Sequence, residues 1–375
     1  MPTPTAPIYR VQVFAFADST TFGIGTMLAE FQQAKNLGWA LYINDVPEAF
    51  FTIDQDDPKL ADLRGYEGRC HVRIYRGTDI VFAGWGAMEH DANYRDVIFT
   101  CFGYIGGTYW TPTDWNVQYQ NAQVNTIVTD QWTRAKTGIA QSALGFITTG
   151  TIEAPVTITG GSTPIVLPLY SAYYKRVLFL LREMAAISAS DTINIVQFEV
   201  TNSATPTFNF WKNKGADQPN AYFALGDDKL KDYHDVLMPI YRRNEIVAVG
   251  SAPNNTLLRY QWNTPDATEL NNYGARMEPI YLRWVRDATE LARVAGLRGA
   301  RAQRNTTDLQ LMFHPNTVLP PGATGATFGI GDRVFVNINR GITNINSYYL
   351  ATGVQVLFMK KNETVKLLTQ QRAGS

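Results

Sequence analysis

The sequence predicts a mixed, β-dominated α+β protein, and three observations carry that expectation. Short runs of alternating apolar and polar residues, cut by Gly, Pro, Asn and Asp, fill the first and last thirds of the chain. The middle third changes texture and holds helical spacing. Charged residues are only 18% of the 375, while aromatic residues reach 12%, with 8 Trp and 19 Tyr. Lys, Glu and Asp are depleted and aromatics enriched where proteins meet each other, so this composition predicts a chain with neighbours over much of its surface.

The elements follow in order. Ile8–Phe16 alternates, Val11 and Val13 against Gln12, and reads as a strand. Phe22–Leu37 reads as a helix or an irregular crossing. Trp39–Ile43 and Ala49–Ile53 are strands around the turn cluster Asn44-Asp45-Val46-Pro47. Pro58–Leu63 is spaced for one helical turn, with Asp57 as its cap. Val72–Phe82 is a hairpin turning at Arg76-Gly77-Thr78-Asp79. Its end is odd, because Gly84, Trp85 and Gly86 stand where β-branched residues are usual. Val97–Tyr104 repeats the gesture with Gly103 and Gly106-Gly107. Strands this short and this closely spaced predict a barrel or a sandwich.

From about residue 110 the pattern shifts. Ala122–Ala135 has apolar residues at helical spacing, and Gly150–Pro168 is a strand-and-loop run rich in Gly, Thr and Pro. Tyr174–Ile187 is the clearest helix, with one stripe through Tyr174, Val177, Leu178, Leu181, Met184 and Ala185. Thr192–Val200 and Thr207–Trp211 are strands. The last third returns to β at Ile246–Gly250, Thr256–Trp262, Thr307–Phe313, Arg333–Asn339 and Tyr348–Lys360, interrupted by a helix over Tyr281–Leu297. Thr21-Phe22-Gly23-Ile24-Gly25 recurs as Thr327-Phe328-Gly329-Ile330-Gly331, an echo that chance explains as well as duplication does.

Composition and motifs exclude several functions. Thirty-three basic residues balance 33 acidic ones, so no global field steers the chain to nucleic acid or anionic membrane. No apolar run is long enough for a membrane span, and MPTPTAPIYR is not a signal peptide. The four histidines (His71, His90, His234, His314) form no His-x-x-x-His pair, and there is no Cys-x-x-Cys, so the common zinc motifs are missing. Neither a nucleophile elbow nor a phosphate loop occurs. Gly23-Ile24-Gly25 lacks the third glycine of a dinucleotide fingerprint. Asp54-Gln55-Asp56-Asp57 has carboxylates spaced for calcium without the rest of an EF-hand loop, and a solvated turn with a helix cap fits it better. Cys70 and Cys101 lie in strands that would be neighbours; a disulfide fits, and two buried free thiols fit better. No cofactor and no catalytic residue is expected.

Two stretches stand out as contact surfaces. Between Arg276 and Arg304 there are seven arginines against Glu278, Asp287 and Glu290, and Arg283, Arg286 and Arg293 fall near one helical face. Such a face suits a partner subunit or a channel lining; local pairs such as Arg283–Asp287 and Arg286–Glu290 explain it equally well. Tyr104–Trp115 (YIGGTYWTPTDW) carries Trp110 and Trp115 and reads as a ring-anchored junction, with a sugar-stacking loop as the alternative.

Three stretches together resemble the baseplate hub (tail hub) family of tailed bacteriophages. They are "VRIYRGTDIVFAGWGAMEHDANYRDVIFTCFGY", "YYKRVLFLLREMAAISASDTINIVQFEVTNSATPTFNFWKNKG", and "FGIGDRVFVNINRG" followed by "YYLATGVQVLFMKKNETVKLLTQQ". Each motif is loose; their order over roughly residues 8–370 carries the resemblance. The helix 281–297 and the loop 314–326 have no place in the pattern.

The resemblance implies two similar antiparallel β-barrel tube domains, 1–112 and 236–375, around a middle α/β accessory domain, 113–235. It implies a homotrimer closing a pseudo-sixfold ring at the tail tip of the virion, made in the host cytoplasm. Its partners would be the distal tail protein, the tail tube protein, the tape measure protein and a central fibre or spike protein, with DNA passing through. Trp85, between glycines that let the strand bend at a barrel rim, would plug the barrel's end or a neighbour's groove. Trp85, Trp110, Trp115, Arg283, Arg286 and Arg293 are the expected interface or channel contacts. Two other functions stay open, a tail-associated cell-wall hydrolase and a host-glycan-binding baseplate module.

Overall fold

The structure is a computed structural model. It describes residues 7–17, 22–32, 34–66, 68, 70–89, 95–113, 117–137, 143–155, 164–172, 175–188, 196–212, 215–236, 243–251, 256–265, 267, 270–271, 274–282, 285, 287–302, 308–341 and 343–371.

The chain begins with seven strands: β1 (Tyr9–Phe16), β2 (Ile24–Phe31), β3 (Lys35–Tyr42), β4 (Glu48–Asp54), β5 (Cys70–Arg76), β6 (Asp79–Glu89) and β7 (Asp96–Gly103). They pair antiparallel in the order β3-β4-β7-β6-β5-β1-β2. Alternation decides which face is buried: Val11 and Val13 on β1, and Phe51 and Ile53 on β4, all enter the core. The turn at Pro58–Leu63 forms as a 3-10 turn, and the Asp57 carboxylate caps it by accepting the Lys59 N–H at 3.0 Å.

Phe22–Leu37, expected as a helix or a crossing, is instead β2 and the start of β3. Ile24, Met27, Leu28 and Phe31 do fall at helical intervals. The ladder to β1 prevails, and its register shifts around Phe14 break the period-2 signal that would have marked a strand.

The middle segment contains the short helix α1 (Gly107–Trp110), β8 (Gln118–Gln123), α2 (Val124–Thr137), β9 (Thr148–Ile152), β10 (Val166–Ser171), α3 (Val177–Ser188), β11 (Val196–Val200) and β12 (Thr207–Lys212). β10 pairs with β8, and β12 joins β11 to β9. These elements bury a second core. Trp132 of α2 stacks on Phe208 at 3.9 Å and donates its indole N–H to the Thr149 hydroxyl at 3.0 Å.

Two strands absent from the sequence expectation follow, β13 (Asp217–Ala224) and β14 (Leu230–Val236). Next come β15 (Glu245–Ser251), β16 (Leu257–Asn263) and β17 (Met277–Leu282), a separate three-stranded sheet, and α4 (Ala288–Ala302), which packs on β15 and β16. The helix expected over Tyr281–Leu297 is therefore a strand end, then a helix beginning at Ala288. Met277–Leu282 pairs in parallel with β15, which turns Ile280 and Leu282 onto the small core of Ile246, Ala248 and Leu291.

The chain ends in β18 (Asp308–Phe313), β19 (Arg333–Arg340), β20 (Thr343–Met359) and β21 (Asn362–Gln371). With β13 and β14 these make the order β13-β19-β20-β21-β18-β14. The loop between β18 and β19 folds back on the opening hairpin, where Asp79 accepts the Thr324 N–H and hydroxyl, both at 2.7 Å.

The two sets of strands are not closed into the two barrels that the resemblance implied; they fuse into one 13-stranded sheet. The reason is a competition for strand edges. Closing the first set would need β2 against β3, yet β3 already uses β4 on one edge and β20 on the other. β20 is long enough to serve both sets. Its first half pairs with β19, and beyond Thr352 the same edge pairs with β3 from Gly353 to Phe358. Gly353 permits that change of partner, because a Cβ there would lie 2.9 Å from the Tyr42 ring. The apolar core beneath runs continuously through both sets.

Candidate interaction surfaces

The glycines around Trp85 are interior to β6, which continues to Glu89. Gly84 sits opposite Val72 on β5 and Gly103 on β7. A Cβ on Gly84 would lie 2.1 Å from the Phe102 carbonyl oxygen, and one on Gly86 would lie 2.5 Å from the Val72 side chain. Close packing of neighbouring strands, rather than a bend at a rim, is what these positions demand. Cys70 and Cys101 both stand opposite Gly86, one on each side. Two strand spacings separate them by about 10 Å, beyond the reach of a disulfide. Both thiols are free and buried, and burial pushes the Cys70 pKa up to about 11.

Half-buried Trp85 fills a seam between the sheet and the middle segment. Its ring meets Tyr104 edge-on at 5.3 Å, and Trp110 and Phe146 at 6.5 Å. Gly107 lets it in, since a Cβ there would lie 2.5 Å from the indole. Beside it, His71 is fully buried among Phe16, Tyr104 and Phe146. Its Nε2 lies 3.0 Å from the Phe22 carbonyl oxygen and 3.1 Å from that of Gly23, which makes Nε2 the protonated nitrogen. Burial lowers its pKa to about 4.

Of the expected contact residues, the structure brings Trp85 and Trp110 together and holds Arg293 on the separate β15–β17 unit. Trp110, at the end of α1, is 64% exposed. Arg293 is half-buried on α4, and its neighbour Arg298 pairs with Glu278 at 2.7 Å. Trp115, Arg283 and Arg286 lie outside the described residues, and so do the pairs Arg283–Asp287 and Arg286–Glu290. The Asp54–Asp57 turn is a solvated one: Lys35 holds the Asp54 carboxylate at 3.0 Å and lowers its pKa. Among the described residues no group of His, Cys, Asp or Glu is placed to hold a metal ion.

Two features had no sequence signal. One is an apolar cleft of about 630 Å3 over the β3–β20 junction, lined by Trp39, Phe50, Phe102, Met312, Val356 and Leu357. Phe50 leans over Gly38, whose missing side chain leaves room for the ring. The other is a buried ionic lock between the two strand sets. Glu363 of β21 accepts the Tyr9 hydroxyl at 2.5 Å and two guanidinium hydrogen bonds from Arg76, at 2.8 and 3.1 Å. Burial next to that carboxylate pushes the Tyr9 pKa far above its ordinary value. The partners lie 287 and 354 positions away along the chain, too far for any local pattern to pair them.

No family model matches the chain, and no curated protein matches it. Solved structures do. A tail protein from Neisseria meningitidis aligns over 97% of this chain and 96% of its own, at 11% identity and a TM-score of 0.63. The 43 kDa tail protein of prophage MuSo2 from Shewanella oneidensis aligns over 96% and 97%, at 11% identity and 0.62. Prophage tail protein gp18 from Listeria monocytogenes aligns over 97% and 95%, at 10% identity and 0.50. These similarities span the strand sets, the middle segment and the β15–β17 sheet alike. The resemblance read from the sequence is thus one of architecture, and the chain has the fold of phage tail proteins.

Proposed function

We propose that the chain is a structural component of a phage-type tail, a hub whose three copies close a pseudo-sixfold ring at the tail tip. The ring would join the tail tube and distal tail proteins to a central fibre or spike, and enclose the channel for tape measure and DNA. The observation that carries this reading is the extent of the likeness: 97% of the chain is used in matching 96% of a tail protein. The two strand sets joined through β20 support it, since a ring of three chains would then carry six such sets. We keep the three units 1–112, 113–235 and 236–375, with β13 and β14 of the middle unit lent to the sheet of the third. Trp85, Trp110, Trp115, Arg283, Arg286 and Arg293 remain the proposed interface or channel contacts. Low charge and abundant aromatic residues suit permanent contacts of this kind.

Light scattering tests the proposal. The expected mass is three times the 41.9 kDa of one chain, with ring-shaped particles by electron microscopy. A monomer at micromolar concentration that forms no ring, even when mixed with tail tube or distal tail protein, overturns it.

A further inference from the structure

An exposed patch beside α1 carries an inference that does not depend on the tail reading. Trp110, Phe179 and Tyr109 are 64%, 42% and 39% exposed, although large rings are usually covered. They touch one another: Tyr109 meets Trp110 at 6.1 Å and Phe179 at 6.0 Å. Arg176 lies in the middle, its guanidinium 3.9 Å from the Tyr109 ring centre and 6.0 Å from that of Phe179. Arg176 is exposed and makes no side-chain hydrogen bond or ion pair among the described residues. Its neighbour Arg182 is already occupied by Asp45 and the Asn44 carbonyl oxygen. The patch is therefore apolar and aromatic around one exposed cation that has no side-chain hydrogen bond or ion pair among the described residues.

We infer that this patch is the docking site for a protein segment that presents a carboxylate flanked by apolar side chains. Trp, Tyr and Arg together are the residues that dominate binding energy at protein interfaces. A guanidinium stacked on a ring is held in one plane, ready for a two-pronged contact with a carboxylate. The ring geometry disfavours a sugar. Stacking a pyranose needs an open ring face, whereas Tyr109 is covered by Arg176, and its ring stands at 87° to Trp110 and 79° to Phe179. A two-fold contact of the patch with itself would oppose two Arg176 cations, so a different surface must supply the carboxylate.

The test uses the whole chain against an array of 15-residue synthetic peptides carrying one to three glutamates among Leu, Val and Trp. A matched glutamine array and a glycan array of neutral and acidic sugars accompany it. Micromolar binding to glutamate peptides is expected. Trp110→Ala should weaken it about tenfold or more, and Arg176→Gln should erase the preference for glutamate over glutamine, because a charged hydrogen bond carries that preference. Both side chains are at the surface, so thermal unfolding should be unchanged, which separates lost binding from lost folding. Equal binding of both arrays, binding untouched by either variant, or no peptide binding overturns the proposal. Trp110-dependent binding on the glycan array alone would assign the patch to sugars. A change of oligomeric mass in Trp110→Ala would assign it to a second copy of the chain.

Discussion

Replacing Gly84 by alanine adds one methyl group where β6 meets β7. The new carbon would lie 2.1 Å from the Phe102 carbonyl oxygen, 2.7 Å from its carbon and 2.9 Å from Gly103 Cα. A relaxed carbon–oxygen contact is about 3.3 Å, so the strands must part by about 1.2 Å, which breaks the local ladder. Overpacking of this kind costs about 1–3 kcal/mol, and one or two backbone hydrogen bonds add about 1 kcal/mol each. The stiffer unfolded chain returns about 0.5–1 kcal/mol. The net expectation is a loss of about 1–4.5 kcal/mol, centred on about 3, read as a lower urea midpoint at constant slope. Gly77→Ala is the control. That glycine sits at φ +60° with nothing within 4 Å, so only backbone strain of about 1 kcal/mol applies. If Gly84→Ala proves no more damaging than Gly77→Ala, the close-packing account of the Gly-Trp-Gly stretch is wrong.

Three further outcomes are expected. Arg76→Leu leaves the Glu363 carboxylate buried without its cation and should cost about 3–5 kcal/mol in urea unfolding; the double variant Arg76→Leu/Glu363→Leu should recover much of that, and a cycle of the four proteins measures the coupling. His71, with its folded pKa lowered from 6.5 to about 4, favours the unfolded chain once protons are available. Its contribution is complete above pH 6.5 and falls away between 6.5 and 4, by about 3 kcal/mol in total. His71→Gln, which does not titrate, should show a flatter dependence over that window. Mass analysis after unfolding without reductant should find Cys70 and Cys101 both free, and iodoacetamide should modify neither in the native protein, because buried thiols with raised pKa hold no thiolate.

Much of the fold was legible in the residues. Val11 and Val13 on β1, the Asp57 cap, the hairpin turn at Gly77 and the stripe along α3 all follow from interactions within a few positions of each other, which a sequence displays directly. Helical spacing in Ile24–Phe31 and the helix expected to begin at Tyr281 misled for the opposite reason: strand partners elsewhere along the chain overruled the local preference at Ile24–Phe31 and at Tyr281–Leu282. The candidate contacts were legible only as residue types. Trp85 and Trp110 are alike as letters, yet one is half-buried in a seam beneath Gly107 and the other stands in solvent beside Arg176.

The sequence by itself determined the β-dominated class, the opening hairpin and its turn at Gly77, and the order of motifs that resembles tail hubs. Only the tertiary structure decided that β3 gives its second edge to β20, which leaves the two strand sets fused in one sheet instead of closed as barrels. It alone brought Tyr9, Arg76 and Glu363 together in one buried lock. Hydrogen-bond edges and buried charges are each satisfied by one partner at a time, and which distant partner wins depends on the packing of the whole chain.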